Sequence, residues 1–170
     1  MADDSIYEID SQGDLNIPYS DVSISDSFLT SSEQSDVGLG DSETDDGKFS
    51  TLQKKIEGLR DDEILYLNND YANDGLSEGI IISKNIRIEG NGYKLDALNK
   101  SRIFTITDSK TVALNNIVFM NGFSSDNGGA IYFDSLSNSN FTNLTFINNH
   151  AENHGGAIYI AGANTYIGNS

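Results

Sequence analysis

The sequence predicts an all-β fold, a parallel β-helix with a short amphipathic helix before it. From residue 79 onward, short apolar runs alternate with corners of Asn, Gly, Ser and Asp, and no run is long enough for a helix. Two different motifs also recur at the same offset of 27 residues. A single unit of this length cannot bury its own apolar face, so such units are expected to stack into a solenoid.

Residues 1–47 are predicted to be a disordered acidic leader. They contain 13 of the 26 Asp and Glu residues and no Lys or Arg, and they are rich in Ser and Asp. Such a segment cannot bury enough apolar surface to offset its ordering entropy. The alternation of Val22 and Ile24 with polar residues leaves open a short strand that docks elsewhere.

Residues 48–78 are predicted to form an N-terminal cap, with a helix at about 50–59 and a strand at about 63–68. Ser50 and Gln53 have the spacing of a capping box, which satisfies free backbone N–H groups at a helix start. We expect the helix to cover the first coil, whose open edge would otherwise recruit strands. The apolar stripe of this helix consists of Phe49, Leu52, Ile56 and Leu59.

Residues 79–170 are predicted to form the coils of the β-helix, truncated at the C-terminus. The segment 128–132, Gly-Gly-Ala-Ile-Tyr, recurs at 155–159, and the segment 116–121 recurs at 143–148. Parallel strands of neighbouring coils lie about 4.8 Å apart, so equivalent side chains stack. The predicted inward stacks are Ile117 on Leu144, Phe119 on Phe146, and Ile131 on Ile158. Asn116 and Asn143 are predicted to bond along a column of corner amides.

The paired glycines of the repeated motif admit two interpretations. A phosphate-binding loop leads its glycines into a helix with a Lys or a hydroxyl residue following. Here a strand follows, so Gly128, Gly129, Gly155 and Gly156 are interpreted as corners, where glycine turns the chain without a Cβ clash. Tyr132 and Tyr159 alternate with the inward isoleucines and are therefore predicted to face outward. An exposed aromatic column is a candidate contact for a glycan or a protein, or it packs on a neighbouring loop.

Composition and charge disfavour several functions. A net charge of −16 repels nucleic acid and anionic membranes. There is no cysteine, and no apolar run approaches the roughly 18 residues of a membrane span. The residue pattern of a signal peptide is not found at the start.

Few residues are candidates for metal binding, catalysis or glycosylation. His150 and His154, the two histidines, are four residues apart, but this spacing falls in a predicted loop and lacks a third ligand, so no metal is expected. A β-helix enzyme would need carboxylates at equivalent positions of successive coils, and the candidates are Asp126, Asp134, Asp96 and Glu89. At the repeat offset Asp126 corresponds to Asn153, and Asp134 corresponds to Ala161, so no catalytic residue and no cofactor are expected. N-glycosylation sequons begin at Asn99, Asn140 and Asn143, and the loop position of Asn99 makes it the best acceptor.

The GGAI and F-x-x-N motifs resemble the repeat of polymorphic outer-membrane proteins. Their order, after a helix at 52–59 and the segments 64–71 and 86–92, resembles still more the adhesin-like surface proteins of methanogenic archaea. The segment Phe146 to Asn149 fits the F-x-x-N motif, whereas Gly122 departs from it. The resemblance implies a right-handed, pectate-lyase-like parallel β-helix, export, extracellular display at the cell surface, and a longer parent protein with an anchor.

The function expected from these observations is a non-catalytic, adhesin-like surface protein fragment that contacts an unidentified cell-surface protein or glycan. A polysaccharide lyase or hydrolase built on a β-helix is the alternative. A purely structural stalk is the second alternative.

Overall fold

A computed structural model describes residues 45–134, 139–162 and 165–169, all within the second of the two units into which the chain divides, residues 42–170. These residues form one helix and then short strands only. The elements are α1 Phe49–Gly58, β1 Glu63–Tyr66, β2 Tyr71–Ala72, β3 Ile80–Ile82, β4 Ile86–Glu89, β5 Lys94–Asp96, β6 Phe104–Ile106, β7 Val112–Asn115, β8 Val118–Met120, β9 Phe123–Ser124, β10 Ile131–Asp134, β11 Ser139–Thr142, β12 Thr145–Ile147, β13 His150–Ala151, β14 Ile158–Ala161 and β15 Thr165–Gly168.

The strands stack in parallel as a β-solenoid of about four turns, which confirms the predicted β-helix. The predicted acidic leader, with the strand considered at Val22 and Ile24, lies outside the described residues except for residues 45–47. Coil 1 comprises β1–β3, coil 2 comprises β4–β6, coil 3 comprises β7–β10, coil 4 comprises β11–β14, and β15 starts coil 5. One sheet has the order β1-β4-β7-β11-β15, a second the order β2-β5-β8-β12, and a third the order β3-β6-β10-β14. Strands β9 and β13 form a separate two-stranded sheet.

The strand register follows the 27-residue repeat between coils 3 and 4. Ile131 pairs with Ile158, and Phe119 pairs with Phe146. Between coils 1 and 2 the offset is shorter, since Ile80 pairs with Phe104. The earlier coils therefore have the same architecture without the same length, because corners tolerate insertions that the strands do not.

Apolar side chains from all coils fill the interior of the solenoid. Ile117, Phe119, Ile131 and Leu144 are buried, while Phe146 and Ile158 of coil 4 are partly buried. The ring of Phe119 stacks on that of Phe146 at 5.2 Å between centroids, with 12° between the planes. Burying a side chain of this size contributes roughly 1.5–3 kcal/mol. The predicted inward stacks are thus the interior of the solenoid.

The two glycines of the motif have different surroundings. Gly128 and Gly155 have φ values of +68° and +64°, a left-handed conformation that each coil needs for its own turn. A Cβ on Gly129 would lie 2.1 Å from the carbonyl oxygen of Gly156 in the next coil. A Cβ on Gly156 would have Asn149 O as its neighbour, at 3.5 Å. The second glycine is therefore required where another coil lies against it.

The asparagine of the F-x-x-N motif binds the preceding coil. Asn149 Oδ1 accepts a hydrogen bond from the backbone N–H of Gly122 at 2.8 Å, and its Nδ2 donates to the carbonyl of Phe119 at 3.0 Å. A Cβ on Gly122 would lie 2.3 Å from the carbonyl oxygen of Gly129. Glycine replaces the motif asparagine at position 122 because the corner has no room for a side chain.

The predicted amide column differs in detail. Asn116 and Asn143 both have left-handed backbone conformations, with φ of 53°. Asn143 Nδ2, however, donates to Oδ1 of Asn115 at 3.1 Å rather than to Asn116. Asn115 in turn donates to the carboxylate of Glu89 at 2.7 Å. The ladder is therefore formed by the residue that ends β7 and not by the corner residue after it.

Helix α1 packs on β2 and β3 through the buried side chains of Phe49, Leu52 and Ile56. The predicted capping box is wrong, because the helix begins after Lys48, and the N–H of Ser50 in the first turn donates to the Asp74 carboxylate at 3.0 Å. The Ser50 hydroxyl instead donates to the carboxylate of Asp74 at 2.5 Å.

Gln53 lies against β3, the edge strand of its sheet. Its Oε1 accepts from the N–H of Ile81 at 2.7 Å, and its Nε2 donates to the carbonyl of Ile81 at 3.2 Å. The side chain therefore satisfies edge backbone groups that would otherwise be open to another strand.

The segment before α1 is attached to coil 1. Lys48 forms a parallel bridge with Ala72 of β2. Asp45, Lys55 and Tyr71 form what we call the cap cluster: the Asp45 carboxylate lies 2.5 Å from Lys55 Nζ and 2.5 Å from the Tyr71 hydroxyl. Since β1 and β2 already pair with coil 2, the division between a cap at 48–78 and coils from 79 stays an interpretation.

Within the described ranges, no helix combines the length and the apolarity that a bilayer crossing requires.

Candidate recognition surface

The third sheet presents an aromatic column on its outer face. Tyr132 of β10 pairs with Tyr159 of β14, and their rings stack at 5.6 Å between centroids with 13° between the planes. Both side chains are half-buried. Toward the helix the column continues through Thr105 and then through Ile81, which is exposed. The prediction that the tyrosines alternate with inward isoleucines matches this register, and their role as a ligand contact stays a prediction.

Arg102 holds the first ring of the column in place. Its Cζ lies 5.1 Å from the centroid of Tyr132, within the range of a cation–π interaction. Its Nη2 donates to the Ser124 hydroxyl at 2.8 Å and to the Asn127 carbonyl at 3.1 Å. Partial burial, and then the carboxylate of Asp134, raise the pKa of Tyr132, so its phenol stays protonated at neutral pH.

A second aromatic pair lies on the neighbouring two-stranded sheet. Phe123 stacks on His150 at 6.1 Å with 19° between the planes. His154 lies 6.5 Å from Tyr159, ring to ring, and its Nδ1 lies 3.1 Å from Oδ1 of Asn127. Sequence reasoning placed His150 in a loop, but it begins β13. Both histidines are exposed, and in the described part of the chain no three His, Asp or Glu residues group closely enough to hold a metal ion.

The four carboxylates that are candidates for catalysis each lie against an uncharged residue of the next coil. Asp126 accepts from Asn153 Nδ2 at 2.9 Å, and Asp134 pairs with Ala161 in the sheet register. Asp96 accepts from Asn121 Nδ2 at 2.9 Å, and Glu89 forms an ion pair with Arg87 at 2.9 Å. In the sheet registers Asp96 lies against Met120, and Glu89 lies against Asn115. These four side chains are therefore not stacked at equivalent positions of successive coils.

The three sequons lie in different environments. Asn99 is exposed in the turn between β5 and β6, with φ of 57°. Asn140 is exposed in β11, between Ala113 and Tyr166 in the sheet. Asn143 is exposed at a corner, where its amide is bonded to Asn115. Their use as glycosylation sites stays a prediction.

Residues 143–161 match the Chlamydia polymorphic membrane protein (Chlamydia_PMP) repeat family. The matched segment contains β12, β13 and β14, and so both the F-x-x-N asparagine and the second GGAI motif. The match supports the resemblance to that repeat, whereas the resemblance to archaeal adhesin-like proteins stays a prediction. No curated protein and no solved structure matches the chain.

Two parts of this surface were missed from the sequence. Phe123 and His150 lie 27 residues apart, so the repeat offset contained the signal for their stack. Arg102 gave no such signal, because the residue 27 positions later is Gly129. Its place beside Tyr132 depends on how the corner of coil 2 folds against coil 3.

Proposed function

We propose that this chain is a non-catalytic, adhesin-like surface protein whose solenoid presents the tyrosine column to a glycan outside the cell. The observation that carries the proposal is the pair of parallel rings, Tyr132 on Tyr159, held from one side by Arg102. Tyr159 stacks on one face of the Tyr132 ring and the Arg102 guanidinium lies over the ring from the preceding coil, so the column offers a ligand its ring edges and two phenol hydroxyls. Phenol hydroxyls can donate to and accept from sugar hydroxyls, and aromatic residues are the usual anchors of recognition surfaces. The repeat match to membrane proteins supports surface display.

The test is a glycan array probed with the wild-type chain, the double variant Tyr132→Ala/Tyr159→Ala, and the matched control Tyr66→Ala. Tyr66 is 61% exposed on β1, in a different sheet. Losing an anchor side chain costs about 1.4 kcal/mol or more, so we expect at least tenfold weaker binding for the double variant and unchanged binding for the control.

Two results would overturn the proposal. Wild-type silence across diverse glycans and host-cell extracts would favour the purely structural stalk. Release of shortened products from a polysaccharide would favour the lyase or hydrolase, whose carboxylates would then have to be sought among residues that are separate in this fold.

A further inference from the structure

We propose that a cavity beside the tyrosine column binds an anionic substituent of the glycan, so that the ligand is an acidic sugar carrying a carboxylate or a sulfate. This inference rests on the proposed function and assigns the ligand class of the same surface.

The cavity lies between three successive coils and has a volume of about 150 Å³. Glu78 of coil 1, Lys100 and Arg102 of coil 2, and Phe123 and Ser124 of coil 3 contribute to its wall. Pockets that enclose a drug-sized ligand begin at roughly 300 Å³. The cavity is therefore of a size to take one substituent of a chain that passes over it, with Phe123 as an apolar side wall.

Arg102 connects this cavity to the column. It lines the cavity while its guanidinium lies 5.1 Å from the Tyr132 ring, so one side chain contacts both places. Its Nη2 is bonded to Ser124 and Asn127, but its Nε–H is buried and has no hydrogen-bond partner among the described residues. A ligand in the cavity does not reach this buried N–H, but the guanidinium is always positively charged, and its charge at the wall of the cavity attracts an oxyanion.

The charges of the wall favour an anion at short range. Lys100 and Arg102 outnumber Glu78 by one positive charge, in a chain with a net charge of −16. Asp126 and Asp134 lie nearby. Asp126 donates its N–H to Ser124 Oγ at 3.1 Å, and the charge of Asp134 raises the pKa of Tyr132. At 0.15 M salt the Debye length is about 8 Å, so negative charges of the chain that lie farther than this from the cavity are largely screened from an anion inside it.

The experiment measures the dissociation constants of trigalacturonate, a sulfated trisaccharide and neutral maltotriose at 0.15 M salt, by calorimetry on the full chain. Variants Arg102→Gln and Lys100→Gln are compared with Arg87→Gln. That control removes the same charge from an exposed position on β4. Lys100 is exposed, so its variant preserves the fold even if Arg102→Gln does not. Circular dichroism checks each variant.

We expect at least one acidic trisaccharide to bind tenfold or more tightly than maltotriose. Arg102→Gln and Lys100→Gln each reduce that affinity about tenfold, and Arg87→Gln leaves it unchanged. Whichever acidic trisaccharide binds more tightly shows whether the cavity prefers a carboxylate or a sulfate. Equal affinity for acidic and neutral probes, lost only in the tyrosine double variant, would overturn the acidic-sugar inference and leave the proposed function intact. Silence with every glycan would overturn both.

Discussion

At the residue scale, the two glycines of the repeated Gly-Gly-Ala-Ile-Tyr motif have different roles. The first turns its own coil at positive φ, whereas the second makes room for the next coil. The difference between Gly129 and Gly156 is therefore set by a neighbour and not by the local sequence, which is the same Gly-Gly-Ala-Ile-Tyr in both coils.

We expect Gly129→Ala to lower the free energy of unfolding by about 1–3 kcal/mol, the usual cost of overpacking, because the added Cβ would lie 2.1 Å from the Gly156 carbonyl oxygen. Gly156→Ala is the matched control, with an expected change within about 0.5 kcal/mol. Urea unfolding of both variants measures the difference. Equal midpoints for the two variants would contradict this account of the corner.

Asn149 is the second residue-scale test. Asn149→Ala removes the amide that accepts from Gly122 N–H and donates to the Phe119 carbonyl, so the free energy of unfolding should fall by about 1–3 kcal/mol. Asn153→Ala, which removes one exposed bond to Asp126, is expected to change it by less than about 0.5 kcal/mol. An Asn149 variant as stable as the Asn153 variant in the same unfolding experiment would show that the motif asparagine does not join the coils.

At the element scale, the segment before the helix and the turn after β2 carry carboxylates whose pKa values are lowered by contacts with the helix end. Burial by itself raises the pKa of Asp45, but hydrogen bonds from Lys55 and Tyr71 outweigh burial, so the net pKa lies below the ordinary 3.8. The Lys48 ammonium lowers the pKa of Asp46, and the Ser50 hydroxyl lowers that of Asp74. These carboxylates therefore stabilise the fold in their charged form.

A carboxyl whose folded pKa is lowered contributes stability above its unfolded pKa, and this contribution is lost as pH falls through the folded value. We expect the urea midpoint to fall as pH drops below about 4, the ordinary pKa of a carboxyl. Asp45→Asn should be less stable than wild type at pH 7 and should show a smaller fall below pH 4. A wild-type midpoint that is constant from pH 5 to pH 2.5, or an Asp45→Asn variant with an undiminished fall, would contradict the role of the cap cluster.

At the element scale, too, the sequence predicted some features and not others. The register of β10 with β14 followed from identical residues at one offset, and the helix followed from its apolar stripe. The capping box was wrong because Ser50 and Gln53 bond to Asp74 and Ile81, which lie 24 and 28 residues further along the chain. Local patterns determine local structure, whereas the partners of a polar side chain depend on which coils meet. Arg102 was missed for the same reason.

At the scale of the whole molecule, stability in a solenoid is a sum over neighbouring coils. Coils 2 and 3 have a neighbour on both sides. In coil 4 the core residues Phe146, Ile158 and Ile160 are only partly buried, and in coil 5 Tyr166 and Ile167 are exposed. The interior should therefore be most stable around β6 and β7.

Hydrogen–deuterium exchange measures this gradient directly. We expect amides of β6 and β7 to exchange more slowly than those of β12 and β14, because the inner strands open only when neighbouring coils open with them. Uniform protection across the four strands would mean that the described coils unfold as one unit, which would contradict a sum over neighbours.

Gln53 also makes the two edges of the third sheet different. The side-chain amide of Gln53 forms hydrogen bonds with the backbone N–H and C=O of Ile81 in β3, so another strand cannot pair with β3 there. Strand β14 lies at the other edge of the same sheet. Two molecules therefore cannot pair edge to edge through β3 of this sheet, whereas β14, the last strand of the sheet among the described residues, has one side without a strand partner.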